Sequence, residues 1–197
     1  LYVGTGSVVR VRTAAGDPLV AAAATGGGTV RDIEMDPDNF NHAFVIDATQ
    51  VFETVNAGAS WTPLTGNLFD PDLRNIEYVP LAGGGSALLV GGRYGVHRML
   101  GTSPGVWTEL GQDLPNAPVW DMDYDAVDDI LVVGTLGRGA WTVENVTQVV
   151  DESPVLTICG DEDYINQDDV VRLVRNPANP LLLDVFLTSL TPVLTVP

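Results

Sequence analysis

The chain has 197 residues, 45% of them hydrophobic, with a mean hydropathy of +0.16 and 26 acidic side chains against nine basic ones, for a net charge of −17. That is enough apolar material for a core in one domain or one and a half. All nine bases are arginine, too few to neutralise a nucleic acid backbone or to hold an anionic membrane surface.

Taken in order, Leu1–Gly6 and Val8–Thr13 read as two short strands, with a turn at Gly16-Asp17-Pro18 and a third strand over Leu19–Ala24. Leu1–Val20 lacks the charged-then-apolar layout of a signal peptide, and the missing initial Met is read as the mark of an excised or processed piece. After Gly26-Gly27-Gly28, the run Val30–Pro37 alternates Ile33 and Met35 with Asp32, Glu34 and Asp36, a period of two that predicts a strand. Ala43–Ile46, Val51–Val55 and Trp61–Leu64 follow as three more.

This unit then returns. Asn75–Pro80, Ala87–Gly92, Gly95–Leu100 and Val106–Glu109 repeat its four strands, and Val119–Tyr124, Ile130–Gly134 and Gly139–Val143 begin a third copy. First-strand residues Ile33, Ile76 and Met122 are 43 and 46 positions apart, and second-strand residues Val3, Val45, Val90 and Val133 are 42, 45 and 43 apart. Two strand phases that agree on a period of about 40 to 50 residues predict propeller blades. A β-sandwich would not generate so regular a repeat.

Within the first full unit lies Thr54-Val-Asn-Ala-Gly-Ala-Ser-Trp61, a polar turn closed by a large aromatic ring. Asn56 can hydrogen-bond backbone amides two residues on, Gly58 supplies a positive φ, and Trp61 can fold back over the turn. With Asn56 in place of the usual Asp, the stretch resembles the Asp-box, Ser/Thr-x-Asp-x-Gly-x-x-Trp, of sialidase-like, sortilin-like and xyloglucanase-like propellers. There it marks the hairpin between third and fourth strands, away from the binding face. Trp107 takes the part of Trp61 one repeat later, with Gly105 slipped by one place. Leu131–Val143 also resembles the closing strands of the xyloglucanase and sortilin group, where a Gly-x-Gly turn precedes an aromatic residue.

The expected fold is therefore all-β: an incomplete β-propeller over residues 1–146, about three and a half four-stranded antiparallel blades, then a linker at 147–154 and a small β module over 155–197. Its remaining blades are expected upstream in the same protein or from another copy of the chain, because an open arc exposes blade faces and strand edges. The β module, with strands at Val155–Cys159, Val170–Arg175, Leu181–Leu187 and Val193–Val196, loosely resembles the stacked β repeats of large bacterial surface and secreted proteins.

Three kinds of chemistry are open. In the first, Asp161, Asp163, Asp168 and Asp169 form an acidic run whose hard oxygen ligands would suit Ca²⁺, against a solvated loop as the plainer reading. Cys159 is the only cysteine, and His42 and His97 stand alone, so neither a disulfide nor a softer metal is expected. The second is glycoside hydrolysis of β-glucans. The xyloglucanase resemblance implies catalytic carboxylates near the first strands of different blades, where Asp32 and Asp121 stand, and an inverting pair needs a gap of about 6.5 to 9.5 Å. In the third, favoured here, the chain is a non-catalytic segment of a large secreted or cell-surface multidomain protein, binding carbohydrate or protein through propeller loops.

Overall fold

The computed structural model describes residues 1–82, 84–111 and 114–151 and, beyond them, the strands 156–159, 170–175, 183–186 and 192–196. These fall into two units, Leu1–Asp151 and Glu152–Pro197.

The first unit is a row of antiparallel meanders. Blade one holds β1 (Tyr2–Thr5), β2 (Val8–Val11) and β3 (Val20–Ala21); blade two holds β4 (Asp32–Met35), β5 (Ala43–Ile46), β6 (Val51–Thr54) and β7 (Thr62–Pro63). Blade three holds β8 (Asn75–Pro80), β9 (Ser86–Gly92), β10 (Gly95–Leu100) and β11 (Trp107–Glu109), and blade four holds β12 (Val119–Asp125), β13 (Ile130–Thr135) and β14 (Gly139–Glu144). The repeat read from the sequence is the repeat of the pairing register. Ile33 lies opposite Val45, Ile76 opposite Val90 and Met122 opposite Val133.

Because side chains alternate across a strand, a sheet caught between two others must be apolar on both faces. β5 shows this directly, with all four of its residues buried. Its Val45 packs with Val9 and Val11 of blade one, while Phe44 and Ile46 pack with Ile76, Leu88, Val90, Met99 and Trp107 of blade three. From blade three, Val79, Leu89 and Val96 pack in turn against Val119, Met122, Leu131 and Val133. The core is thus a set of inter-blade layers with no single centre. The structure is all-β in architecture, an arc of four blades containing three, four, four and three strands.

One stretch departs from expectation. Residues expected to open a linker form a short helix, α1 (Val146–Asp151), whose Val146 and Val150 are buried against the layer between blades three and four. Spaced four apart, these two valines share one helical face, and that face is covered. The Arg98 guanidinium donates from Nη1 to the carbonyls of Val149 and Val150, both at 2.7 Å, at the helix's C-terminal end where carbonyls lack intrahelical partners.

In the second unit, β15 (Leu156–Cys159), β16 (Val170–Arg175), β17 (Leu183–Phe186) and β18 (Pro192–Val196) form one antiparallel meander, with a register irregularity between Val185 and Phe186.

Candidate functional site

Antiparallel meanders sort their connections onto two rims. The starts of first strands, the turns between second and third strands, and the links from one blade to the next share one rim; the remaining hairpins share the other. Hydrogen bonds bear this out. Leu73, just before β8, donates its N–H to Ala48 O in the β5–β6 turn at 2.8 Å, and Gly28, ahead of β4, donates to Asp47 Oδ2 in that same turn. On the opposite rim, Ala57 N–H donates to Asn41 O at 2.9 Å.

The Thr54–Trp61 turn therefore sits on the rim away from the blade-to-blade links. Its bonding is denser than the sequence suggests: Gly58 N–H donates to Thr54 Oγ1 at 2.9 Å, while Asn56 Oδ1 accepts from Thr54 Oγ1 and Ser60 N, both at 2.9 Å. Asn56 thus reaches the amide four residues on, and the threonine holds the nearer one. Ala57 (φ 54°) and Gly58 (φ 79°) are both left-handed, and a Cβ on Gly58 would stand 2.7 Å from Ala22 Cβ. The Trp61 ring packs, part-buried, with Val9, Val11 and Val45. Trp107 is the more deeply seated ring, 5% exposed, donating from Nε1 to Leu64 O of the preceding blade at 2.8 Å. Beside the turn lies an open, largely apolar hollow of about 310 Å³, lined by Val11, Val20, Ala22, Ala57 and Gly58 among others.

The first strands β4, β8 and β12 lie side by side, so their residues form tiers. Asp32, Asn75 and Asp121 make one tier, and Glu34, Glu77 and Asp123 make the next, two residues further along each strand. Asp32 accepts Ile33 N–H at 2.8 Å through Oδ1 and Ile76 N–H of the neighbouring blade at 3.0 Å through Oδ2. Asn75, almost fully buried, donates from Nδ2 to Asp121 Oδ1 at 3.2 Å. The two acids singled out from the sequence are thus brought to one place, with an amide between them. Burial raises the Asp32 carboxyl, its two amide partners oppose this, and the charge of Asp121 adds to the rise. One tier on, burial and then Asp32 push Glu34 up to about 7, while burial, then Glu34, Asp123 and Asp32, push Glu77 up to about 8. The backbone amides of Met35 and Tyr78 near Glu34, and of Tyr124 near Glu77, partly offset the rise. Asp32 and Asp121 thus act as inter-blade clasps.

At the link rim the chemistry changes sign. Arg31 and Arg74 occupy the repeat position just before Asp32 and Asn75, and Trp120 takes that position before Asp121. Asp70, its side chain fully buried, accepts N–H groups from Asp72 (2.9 Å), Arg93 (3.0 Å) and Tyr94 (2.8 Å), and so ties the blade-two-to-three link to the β9–β10 turn. A Cβ on Gly92 would come 2.5 Å from Asp70 Oδ2, so the backbone there must stay bare. Arg74 donates from Nη2 (2.6 Å) and Nε (3.1 Å) to Asp72 Oδ2, Arg31 Nη2 lies 3.6 Å from Asp72 Oδ1, and Arg74 stacks over Trp120 at 4.3 Å. The hydrogen bond from Arg74, then the charges of Arg74, Arg31 and Arg93, hold Asp72 below the usual carboxylate range against a smaller opposing effect of burial. Phe69 is 81% exposed and stacks on Tyr94 with centroids 6.5 Å apart; Trp120 is 63% exposed.

The sequence reading missed Glu34, Asn75, Glu77 and the whole Arg31–Asp72–Arg74–Arg93 group. For all of these but Asp72 and Arg93 the signal was present: Arg31-Asp32-Ile33-Glu34, Arg74-Asn75-Ile76-Glu77 and Trp120-Asp121-Met122-Asp123 are in phase. Asp161, Asp163, Asp168 and Asp169 lie outside the described residues. Among the described residues, no three His, Cys, Asp or Glu side chains are grouped so as to hold a metal ion, and no helix is long and apolar enough to cross a membrane.

No family model matches the chain, and no curated protein sequence matches it. Among solved structures it is similar to YCF48 bound to D1 peptide, at 12% identity and a TM-score of 0.50, over 95% of this chain and 58% of that one. It is also similar to YCF48 from Cyanidioschyzon merolae, at 13% identity and a TM-score of 0.37, over 83% of this chain and 55% of that one. The chain thus spans rather more than half the length of these structures. At 12% identity the likeness to the first of these speaks for the fold alone, an incomplete β-propeller.

Proposed function

We propose that the chain is a non-catalytic propeller segment that binds a stretch of another protein through its link rim. The observation that carries this reading is the exposure of Phe69, Tyr94 and Trp120 on a rim held by buried Asp70. Large rings fixed in place lose little conformational freedom on binding and desolvate a large area. A propeller of this fold can take up a peptide, as the YCF48 structure bound to D1 peptide illustrates; the support for this chain comes from its own rim. The secreted or cell-surface setting and the Asp-box membership remain part of the proposal, on the resemblances of residues 54–61 and of the C-terminal strands, as does completion of the ring by further blades or a second copy.

Panning the immobilised chain against a random-peptide library tests the reading. Enriched sequences should lose binding to a Phe69→Ala/Trp120→Ala variant and keep it with Asn56→Ala on the far rim. If no sequence is enriched, or if both variants bind alike, the proposal fails. Carbohydrate is the neighbouring reading, since exposed rings also stack on sugars, and a glycan array that responds where the peptide library does not would replace protein with carbohydrate.

A second reading, a β-glucan hydrolase using Asp32 and Asp121, draws support from the raised Asp32, Glu34 and Glu77 carboxyls, since a general acid must hold its proton near neutrality. Against it stands the engagement of these groups with backbone amides. Reducing sugar released from xyloglucan by the chain, and abolished in Asp32→Asn or Asp121→Asn, would favour the hydrolase.

A further inference from the structure

In a chain of net charge −17, two arginines, Arg31 and Arg74, reach a single acid on one rim, and Asp70 Oδ1 ties the backbone of a third, Arg93, to that acid's own N–H. The pairing there is lopsided. Arg74 directs both Nε and Nη2 at one oxygen, Oδ2 of Asp72, while its Nη1 is buried with no hydrogen-bond partner. Arg31 reaches Asp72 only at 3.6 Å, and Arg93, exposed, has no ion pair among the described residues. A guanidinium offers five donors and favours two-point contact with a carboxylate. The spare donor of Arg74 is buried, so the donors left open to a ligand are those of Arg31 and Arg93, which the one internal carboxylate does not satisfy.

We propose that Arg31 and Arg93, beside the charge of Arg74, hold a carboxylate of a bound peptide, and that Asp72 is a built-in competitor for them. This rests on the peptide-binding reading above. Trp120 fixes the Arg74 guanidinium from one side and, being exposed, offers its ring to an apolar side chain next to the carboxylate. Phe69 and Tyr94, tied to Arg93 through Asp70, add a second apolar surface on the same rim. The ligand class that follows is an extended peptide carrying an Asp, a Glu or its own C-terminal carboxylate beside an aromatic residue. The overall negative charge does not prevent this, because at about 150 mM salt charges further than about 8 Å away are largely screened.

Fluorescence anisotropy tests it with three labelled peptides: Gly-Glu-Phe-Glu-Phe-Gly amide, Gly-Gln-Phe-Gln-Phe-Gly amide, and the latter with a free C-terminus. The Glu peptide should bind about tenfold tighter than its Gln amide, and the free-terminus form shows whether a main-chain carboxylate serves as well. Arg93→Gln, an exposed position whose backbone N–H is kept, should remove most of that preference without lowering the melting temperature, and Arg74→Gln should do so with some loss of stability. Asp72→Asn should tighten the Glu peptide about threefold or more, because the competing charge is gone. Equal affinity for Glu and Gln peptides, no binding of the Glu peptide, or weaker binding by Asp72→Asn would overturn the proposal. Should library peptides still depend on Phe69 and Trp120 while carboxylates make no difference, the rim binds peptides and only the carboxylate assignment falls.

Discussion

The carboxyl tier between the blades predicts an unusual dependence of stability on pH. Glu77 is pushed from an ordinary value of 4.5 up to about 8, first by burial and then by Glu34, Asp123 and Asp32. A group whose folded pKa lies above its unfolded one holds more protons in the folded state, so stability falls as pH rises from about 4.5 to about 8 and is level beyond. Glu34, pushed up to about 7, acts the same way over a narrower window. Below pH 4 the trend reverses, because Asp36, Asp72 and Asp129 are lowered in the fold and lose their contribution on protonation. At about 1.4 kcal/mol per pH unit, and discounted strongly because both carboxyls are still partly open to solvent, the loss between pH 5 and 8.5 comes to roughly 1–2 kcal/mol per group. In a unit of this size that is a fall in Tm of about 2–8 °C for each group. Glu77→Gln keeps the side chain's size and an acceptor oxygen and removes the charge. It should raise Tm at pH 8.5 and flatten the slope. All four tryptophans lie within the first unit, so their fluorescence follows its unfolding alone. A wild-type Tm that is level or rising from pH 5 to 8.5, or a Gln variant less stable at pH 8.5, would refute the argument.

Trp107→Ala should destabilise the first unit by about 3–5 kcal/mol, since it empties the layer between blades two and three and strips Leu64 O of its donor, whereas Trp61→Ala should cost about half as much; denaturant melts compare the two, and equal losses would show that depth of burial does not separate them. If the acidic run binds Ca²⁺, millimolar Ca²⁺ should raise the melting temperature at matched ionic strength by about RT ln(1 + [L]/Kd), and Asp161→Asn/Asp163→Asn should abolish the response. Identical melts in Ca²⁺ and EDTA would leave a solvated loop.

Sequence alone determined the strands and their phase, because both are written locally: alternation of period two, turn residues between runs, and a unit of about 40 to 50 residues that returns often enough to be measured. It placed Ile33, Ile76 and Met122 in equivalent positions, and the ladders place each opposite an equivalent valine. It also located an acid at the head of β4 and of β12. Only the tertiary structure decided what those acids meet. Asn75 stands between Asp32 and Asp121, Trp107 rather than Trp61 is the deeply buried ring, Val146 and Val150 draw an expected linker into a helix, and Asp70 gathers Arg93 and Tyr94 to a link more than twenty residues away in sequence. Each of these contacts crosses from one blade or connection to another, at sequence separations for which local periodicity carries no information, and whether a side chain is a clasp, a knob or an exposed platform depends on which neighbour the stacking of blades sets against it.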